Sequence, residues 1–372
     1  LTGATFVYGT DNADAIDAAL AEAAALPRRN VVTIPCGIVC TTRQHTVPSG
    51  ARLQGWFNNA TGGKAKDFKH YGSSLVLCKF TSGGFILAGN AGGTDPRGVH
   101  VSDLNVDCFN LAGNAINSTG GRTSHLFRVT AVRGTAETAR TGPTSRVQFC
   151  VLMGQNQYNV LQCDGDSTVT NNIITGAGNG YYGIKTSNGD DILIAHNHIW
   201  KDSLASTMLG GSVWVSQNTA NTKAGNIQIN GNKFDTHYGS AVKITVSGNS
   251  TLRGVQIVGN HAFNNDVVAN NTGPVIEISC PTGNSIRGLV IQGNIARGSW
   301  NNASVGQWSK FLDVSAVDAS TIYGSYIGGN VADNCNGLYS TLNGGGTFTP
   351  DHDGGNIAIA GTGTTLTKST TT

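Results

Sequence analysis

Five short stretches of the sequence share one frame: Gly183-Ile184-Lys185-Thr186, Ser212-Val213-Trp214-Val215, Ala241-Val242-Lys243-Ile244, Val275-Ile276-Glu277-Ile278 and Phe311-Leu312-Asp313-Val314. Their central residues are 29, 29, 34 and 36 positions apart. Apolar neighbours flank each centre. If these point into a core, Lys185, Trp214, Lys243, Glu277 and Asp313 project outward in one file. Neighbouring strands lie about 4.8 Å apart, so Glu277 and Asp313 are expected side by side, with Lys243 on the other flank of Glu277. Glycoside hydrolysis generally uses two carboxyl groups, about 5–5.5 Å apart for retention and about 6.5–9.5 Å for inversion. Glu277 is the only Glu beyond residue 137. A like charge at Asp313 suits one of the pair to the general-acid role, and Lys243 opposes this. Asp235 or Asp202 is expected to activate water. A lyase would instead need a base and a charge neutraliser at an acidic sugar, roles open to Lys243, His237 or Tyr238 together with Arg297.

The residues just before these stretches are expected to enrich the same face. They are Trp200-Lys201-Asp202, Asp235-Thr236-His237-Tyr238, Asn264-Asn265-Asp266, and Arg297 with Trp300 and Trp308. Sugar rings stack their C–H faces on exposed aromatics while their hydroxyls bond to Asp, Asn and Arg. Trp214, Trp200, Lys185, Asp202, Tyr238, Arg297, Trp300 and Trp308 are therefore the expected substrate-binding set, around the catalytic candidates Glu277, Asp313, Asp235, Lys243 and His237. A plainer reading stands beside this one. An outward Lys243–Glu277 pair is a common cross-strand ion pair, worth about 0.2–1 kcal/mol. His196 and His198 alternate in direction and cannot share a metal. Asp164-Gly165-Asp166 reads as a turn, Asp351-His352-Asp353 as a loop, and Gly176-Ala177-Gly178 as a turn outside any nucleotide-binding pattern. No metal site and no cofactor is expected, with calcium the one alternative left open.

Composition bounds what could position such a file. Of 372 residues only 12% are charged, 51 are Gly, and the net charge is +2. Helical bundles and coiled coils use few Gly and many charged residues. Near-neutrality argues against nucleic-acid or anionic-membrane partners, and no apolar run approaches the roughly 18 residues of a membrane span. The 39% of hydrophobic residues recur in short regular runs, against disorder. The chain begins at Leu1 without a signal-peptide pattern and reads as a processed or trimmed product. Of the eight Cys, only Cys36 and Cys40 are close enough to suggest a local bridge, and most are expected to be reduced.

One helix is expected, from Asn12 to Leu26, with Asp11 or Asn12 as cap and Pro27 as stop. Beyond it an alternating apolar run ending in Asn recurs at Asn172, Asn197, Asn232, Asn260, Asn294 and Asn330, at steps of 25, 35, 28, 34 and 36 residues. Period-2 strands repeating at irregular steps without helices indicate a solenoid. A parallel β-helix fits best, its Asn stacked at one corner as a hydrogen-bonded ladder. A β-propeller needs four strands per blade of about 40–45 residues, and these repeats hold two or three. The expected organisation is a capping segment at 1–30, β-helix coils over 31–340, and a Gly/Thr-rich cap or tail at 341–372.

The N-terminal order of capping helix, Val31-Val32-Thr33-Ile34-Pro35-Cys36-Gly37 and Val47-Pro48-Ser49-Gly50-Ala51-Arg52-Leu53-Gln54-Gly55 resembles the start of the pectate-lyase superfamily of right-handed β-helices, which includes bacteriophage tailspikes and many polysaccharide-degrading enzymes. The pectinase motifs Gly-His-Gly and Asn-Thr-Asp are absent, and no calcium site with an Arg base is evident. The resemblance implies an all-β, single-stranded right-handed parallel β-helix with a polysaccharide partner, an extracellular or phage-tail setting and a homotrimer. With the outward file, the expected activity is endo-acting hydrolysis of a bacterial surface or extracellular polysaccharide. The alternatives are a pectate-lyase-like lyase and a non-catalytic glycan-binding adhesin.

Overall fold

The computed structural model describes residues 10–26, 31–48, 51–56, 72–79, 81, 83–88, 99–119, 121–155, 158–178, 180–187, 190–200, 210–220, 223–235, 239–263, 273–298, 308–316, 322–333, 335, 352–359 and 366–368. They form a right-handed parallel β-helix, not a propeller: short strands recur in three parallel sheets, and each strand pairs with its counterpart one coil on. The chain divides into two compact units, Leu1–Gln155 and Asn156–Thr372.

In the first unit, sheet 1 contains Val31–Ile34, Arg52–Gly55, His100–Ser102, His125–Phe127 and Arg146–Gln148. Period-2 alternation directs Leu53, Val101, Leu126 and Val147 into the core, where they stack in register at no more than 1% exposure. The helix Ala13–Ala25 lies against the first coil through Ala13, Ile16, Leu20 and Ala23, a stripe at helical spacing. Its first turn is capped by Asp11, whose Oδ1 accepts the Ala13 N–H at 3.0 Å; Asn12 makes no side-chain cap bond. The last buried ring of this contact is His45, held between Thr41 Oγ1 and Asp17 Oδ1, each at 2.7 Å.

In the second unit the aliphatic column of sheet 1 runs Val169, Ile194, Ile229, Ile257, Ile291 and Ile327, all fully buried. At the corner that follows, the chain turns through a left-handed residue. Asn171 and His196 take that conformation first, and glycine takes it at 231, 259, 293, 329 and 355, with φ between 62 and 69°. The next residue is the ladder Asn. Asn172, Asn197, Asn232, Asn260, Asn294 and Asn330 each donate a backbone N–H and a side-chain Nδ2 to the Oδ1 of the Asn one coil on. The ladder therefore runs beyond the expected last coil: Asn356 receives Asn330, and strands His352–Gly354 and Ile357–Ile359 extend sheets 1 and 2. His352 and Asp353 thus lie in a strand where a loop was expected, and Asp351 lies outside the described residues. Composition hid this coil, because Gly and Thr dominate around it while the corner Asn persists. In the first unit the same left-handed corner precedes Leu104, Val129 and Cys150, so its coils are closed by apolar packing there.

Candidate active site

Sheet 3 of the second unit carries the expected file. Its strands are Leu161–Cys163, Tyr182–Ser187, Gly211–Gln217, Val242–Val246, Ile276–Cys280 and Leu312–Ala316. The registers pair Lys185 with Trp214, Trp214 with Lys243, Lys243 with Glu277, and Glu277 with Asp313. All five side chains are half-buried, while Val213, Val215, Ile244, Ile278 and Leu312 beneath them are in the core. The ammonium groups of Lys185 and Lys243 lie 4.3 and 5.9 Å from the Trp214 ring centroid, within cation–π range. The Trp214 Nε1–H donates to Thr245 Oγ1 at 2.9 Å, which fixes the indole.

Glu277 is held on both oxygens. Lys243 Nζ lies 2.7 Å from Oε1, and Ser240 Oγ donates to Oε2 at 2.5 Å. The Lys243 and Glu277 side chains keep 27% and 25% of their surface exposed, so the pair is neither sealed in the core nor fully solvated. Tyr182 completes the cluster, its ring 5.5 Å from that of Trp214. Burial, and then the charge of Glu277, push its phenol well above the usual tyrosine range, against a hydrogen bond with Ser240. Tyr182 is thus protonated at neutral pH. Gly211 makes this placement feasible, because a Cβ there would lie 2.4 Å from Tyr182 Cε1 and 2.0 Å from the Ser240 carbonyl oxygen. Two residues on from the main file, Ser187, Ser216, Thr245 and Ser279 form a parallel file of hydroxyls.

Other expected members lie elsewhere. Trp200, Asp235 and Arg297 belong to sheet 2, in the file Trp200, Asp235, Phe263, Arg297, Asp333. Each ends a three-residue strand, so a corner separates it from sheet 3. There the His198 and Trp200 rings are 4.5 Å apart, His198 Nε2 lies 3.9 Å from Asp235 Oδ2, and Arg297 Nε lies 3.6 Å from Asp333 Oδ2. Trp308 is no sugar platform. It is fully buried, bridges to Cys335, and donates from Nε1 to the Arg297 carbonyl at 3.4 Å. A large apolar side chain at a strand-like position fills the core as readily as it lines a groove, and the sequence around it does not distinguish the two. Asp202, His237, Tyr238 and Trp300 lie outside the described residues. Among the described residues no three His, Cys, Asp or Glu side chains converge as a metal site requires.

By sequence, no family model and no curated protein matches the chain. Solved structures do resemble it. The A-module of mannuronan C-5 epimerase AlgE4 from Azotobacter vinelandii has a TM-score of 0.56 at 14% identity, covering 94% of this chain and 97% of that one. The A-module of AlgE6 from the same organism gives 0.55 at 13%, covering 94% and 95%. DFA-IIIase from Arthrobacter chlorophenolicus A6, solved without its lid, gives 0.56 at 13%, covering 94% and 91%. Likeness at this identity speaks to the fold alone, the right-handed parallel β-helix implied by the N-terminal residues.

The sequence reading missed three members of the Glu277 cluster. Tyr182 precedes the matched frame by one residue, and Ser240 lies at a corner whose neighbours are coils apart in sequence. Gly211 carries no side chain to notice. An aromatic facing a glycine one coil on was the available signal.

Proposed function

We propose that the protein binds a polysaccharide along sheet 3 of its second unit and hydrolyses it, with Glu277 and Asp313 as the reacting carboxyl pair. The observation that carries this reading is the hold on Glu277: an ammonium on one oxygen and a hydroxyl on the other, with a second carboxyl residue in register one strand away. These two contacts fix the Glu277 carboxyl group in place at the sheet surface. So positioned, Glu277 takes the role of nucleophile or base and Asp313 delivers the proton to the leaving oxygen, which divides between the two carboxyl groups the roles left open in the sequence. Trp214 offers a sugar a stacking face, and the hydroxyl file Ser187, Ser216, Thr245 and Ser279 offers hydrogen bonds. The similar solved structures are those of a mannuronan C-5 epimerase and of a DFA-IIIase in complex with GF2 or DFA-III, which supports a carbohydrate ligand.

The same ion pair favours a second reading, a glycan-binding protein without catalysis, because Lys243 and Glu277 form an ordinary cross-strand pair. Incubation with a panel of bacterial capsular and plant polysaccharides separates the two. Hydrolysis releases reducing ends, a lyase adds the absorbance of unsaturated uronates, and binding without either marks the non-catalytic protein. The endo mode, the extracellular or phage-tail setting and the trimer belong to this proposal through the tailspike resemblance. Light scattering that gave a monomer would count against its tailspike form.

A further inference from the structure

A second file stands out on sheet 1 of the first unit. Arg52, His100, His125 and Arg146 occupy the same register position on four successive strands. Each opens its strand, and the residue after it is in the core, so all four point outward. Arg52 and Arg146 are exposed, while His100 and His125 are half-buried between them. At about 4.8 Å per strand the file spans about 15 Å. No acid occupies a position of this column, so it is not a cross-strand ion-pair ladder.

The surroundings point the same way. Asp103, the acid at the end of this sheet, is taken by Arg128 at 2.6 Å. Arg52 donates from Nε and Nη2 to Ser102 Oγ at 3.1 and 2.7 Å, which orients its guanidinium across the file. The His100 and His125 rings meet edge to face at 5.9 Å. His125 Nε2 is buried with no hydrogen-bond partner. Burial first, then His100, Arg146 and Arg52, lower the His125 pKa below the usual histidine range, against a hydrogen bond with Gln148. The charged and titratable groups acting on this ring are thus an imidazole and two guanidiniums.

We infer that Arg52, His100, His125 and Arg146 form a binding strip for the carboxylates of an acidic polysaccharide lying across the strands. The guanidinium forks at the two ends match carboxylates in geometry and charge. The histidines between them take up protons as the anion arrives. Gln54, Gln148 and the half-buried Phe127 ring lie two residues along the same strands, placed for sugar hydroxyls and a sugar face. Nucleic acid is the poorer occupant, because its affinity comes from a broad basic surface, and this chain has a net charge of only +2. The strip lies in the first unit and does not depend on the reading of Glu277.

The test is calorimetric titration of the full chain at low salt with a carboxylated oligogalacturonate, its fully methyl-esterified form, and a single-stranded DNA oligonucleotide of equal charge. The acidic sugar is expected to bind at least tenfold more tightly at pH 6 than at pH 8, and the ester to bind at least tenfold more weakly than the acid. R52Q/R146Q should lose at least tenfold in affinity, and Lys223→Gln, at an exposed cation of the second unit, should leave it unchanged. Circular dichroism checks that the double variant is folded; if it is not, R146Q alone takes its place, at an exposed position. No binding of the acidic sugar, equal binding of the ester, equal binding by R52Q/R146Q, or DNA binding as tightly as the sugar would each overturn the inference.

Discussion

Asn232 Oδ1 accepts two hydrogen bonds from Asn197, one from the backbone N–H and one from Nδ2, both at 3.0 Å. Asn232 in turn donates to Asn260 and to the Ile194 carbonyl. Replacing it with Ala leaves the Asn197 donors and the Ile194 acceptor buried and unpaired. Each unpaired buried group costs about 1–3 kcal/mol, so Asn232→Ala should destabilise the protein by about 3 kcal/mol or more in a denaturant titration. An exposed substitution such as Lys233→Ala should cost less than about 0.5 kcal/mol. Equal losses at the two positions would mean that the ladder contributes nothing special.

Lys243 and Glu277 separate stability from function. Half-exposed pairs contribute about 0.2–1 kcal/mol, so Lys243→Met should shift the denaturant midpoint only slightly. Its effect on polysaccharide turnover should be at least tenfold, because the ammonium that holds Glu277 Oε1 in place is gone. A loss of activity matched by an equal loss of folded protein would reduce the pair to a structural tie.

His45 links the N-terminal helix to pH. Burial lowers its pKa below the usual value of 6.5, only partly opposed by Asp17. Between the folded value and 6.5 the unfolded chain binds more protons than the folded one, so stability falls as pH drops through this range and levels off below the folded value. The thermal midpoint should therefore decline from pH 7.5 to 5.5, and His45→Gln should flatten that slope. A slope unchanged by the substitution would assign the effect to other groups.

Cysteine labelling reads the core directly. Burial pushes the Cys150 and Cys163 thiols up to about 12, whereas Cys36 is exposed. Brief iodoacetamide treatment at pH 8, followed by mass spectrometry, should modify Cys36 and spare Cys150 and Cys163 until denaturant is added. Comparable rates at the three would contradict the inward direction of Cys150 and Cys163.

The parts of the fold that repeat were legible in the sequence. The corner Asn and the centres from Lys185 to Asp313 recur with one residue per coil, so alignment of the repeats alone put Glu277 beside Asp313. Two misplacements have other causes. Trp200, Asp235 and Arg297 do repeat, but at the end of sheet 2, and a three-residue strand gives no sign of where a corner intervenes. Trp308 sits outside the file, and composition could not tell a buried indole from an exposed one. Tyr182 and Ser240 were overlooked for a third reason: their meeting with Glu277 depends on an empty space at Gly211, signalled only by the pairing of an aromatic with a glycine one coil on. The basic file of the first unit was overlooked because its members are 48, 25 and 21 residues apart, without a flanking motif.

The central claim is that Glu277 reacts with a polysaccharide, and the most direct measurement is release of reducing ends by wild type, Glu277→Gln and Asp313→Asn on whichever glycan of the panel is cleaved. Both variants should bind that glycan and melt within a few degrees of wild type, yet lose at least a hundredfold in rate. Undiminished cleavage by folded Glu277→Gln would contradict the account and move the chemistry away from sheet 3.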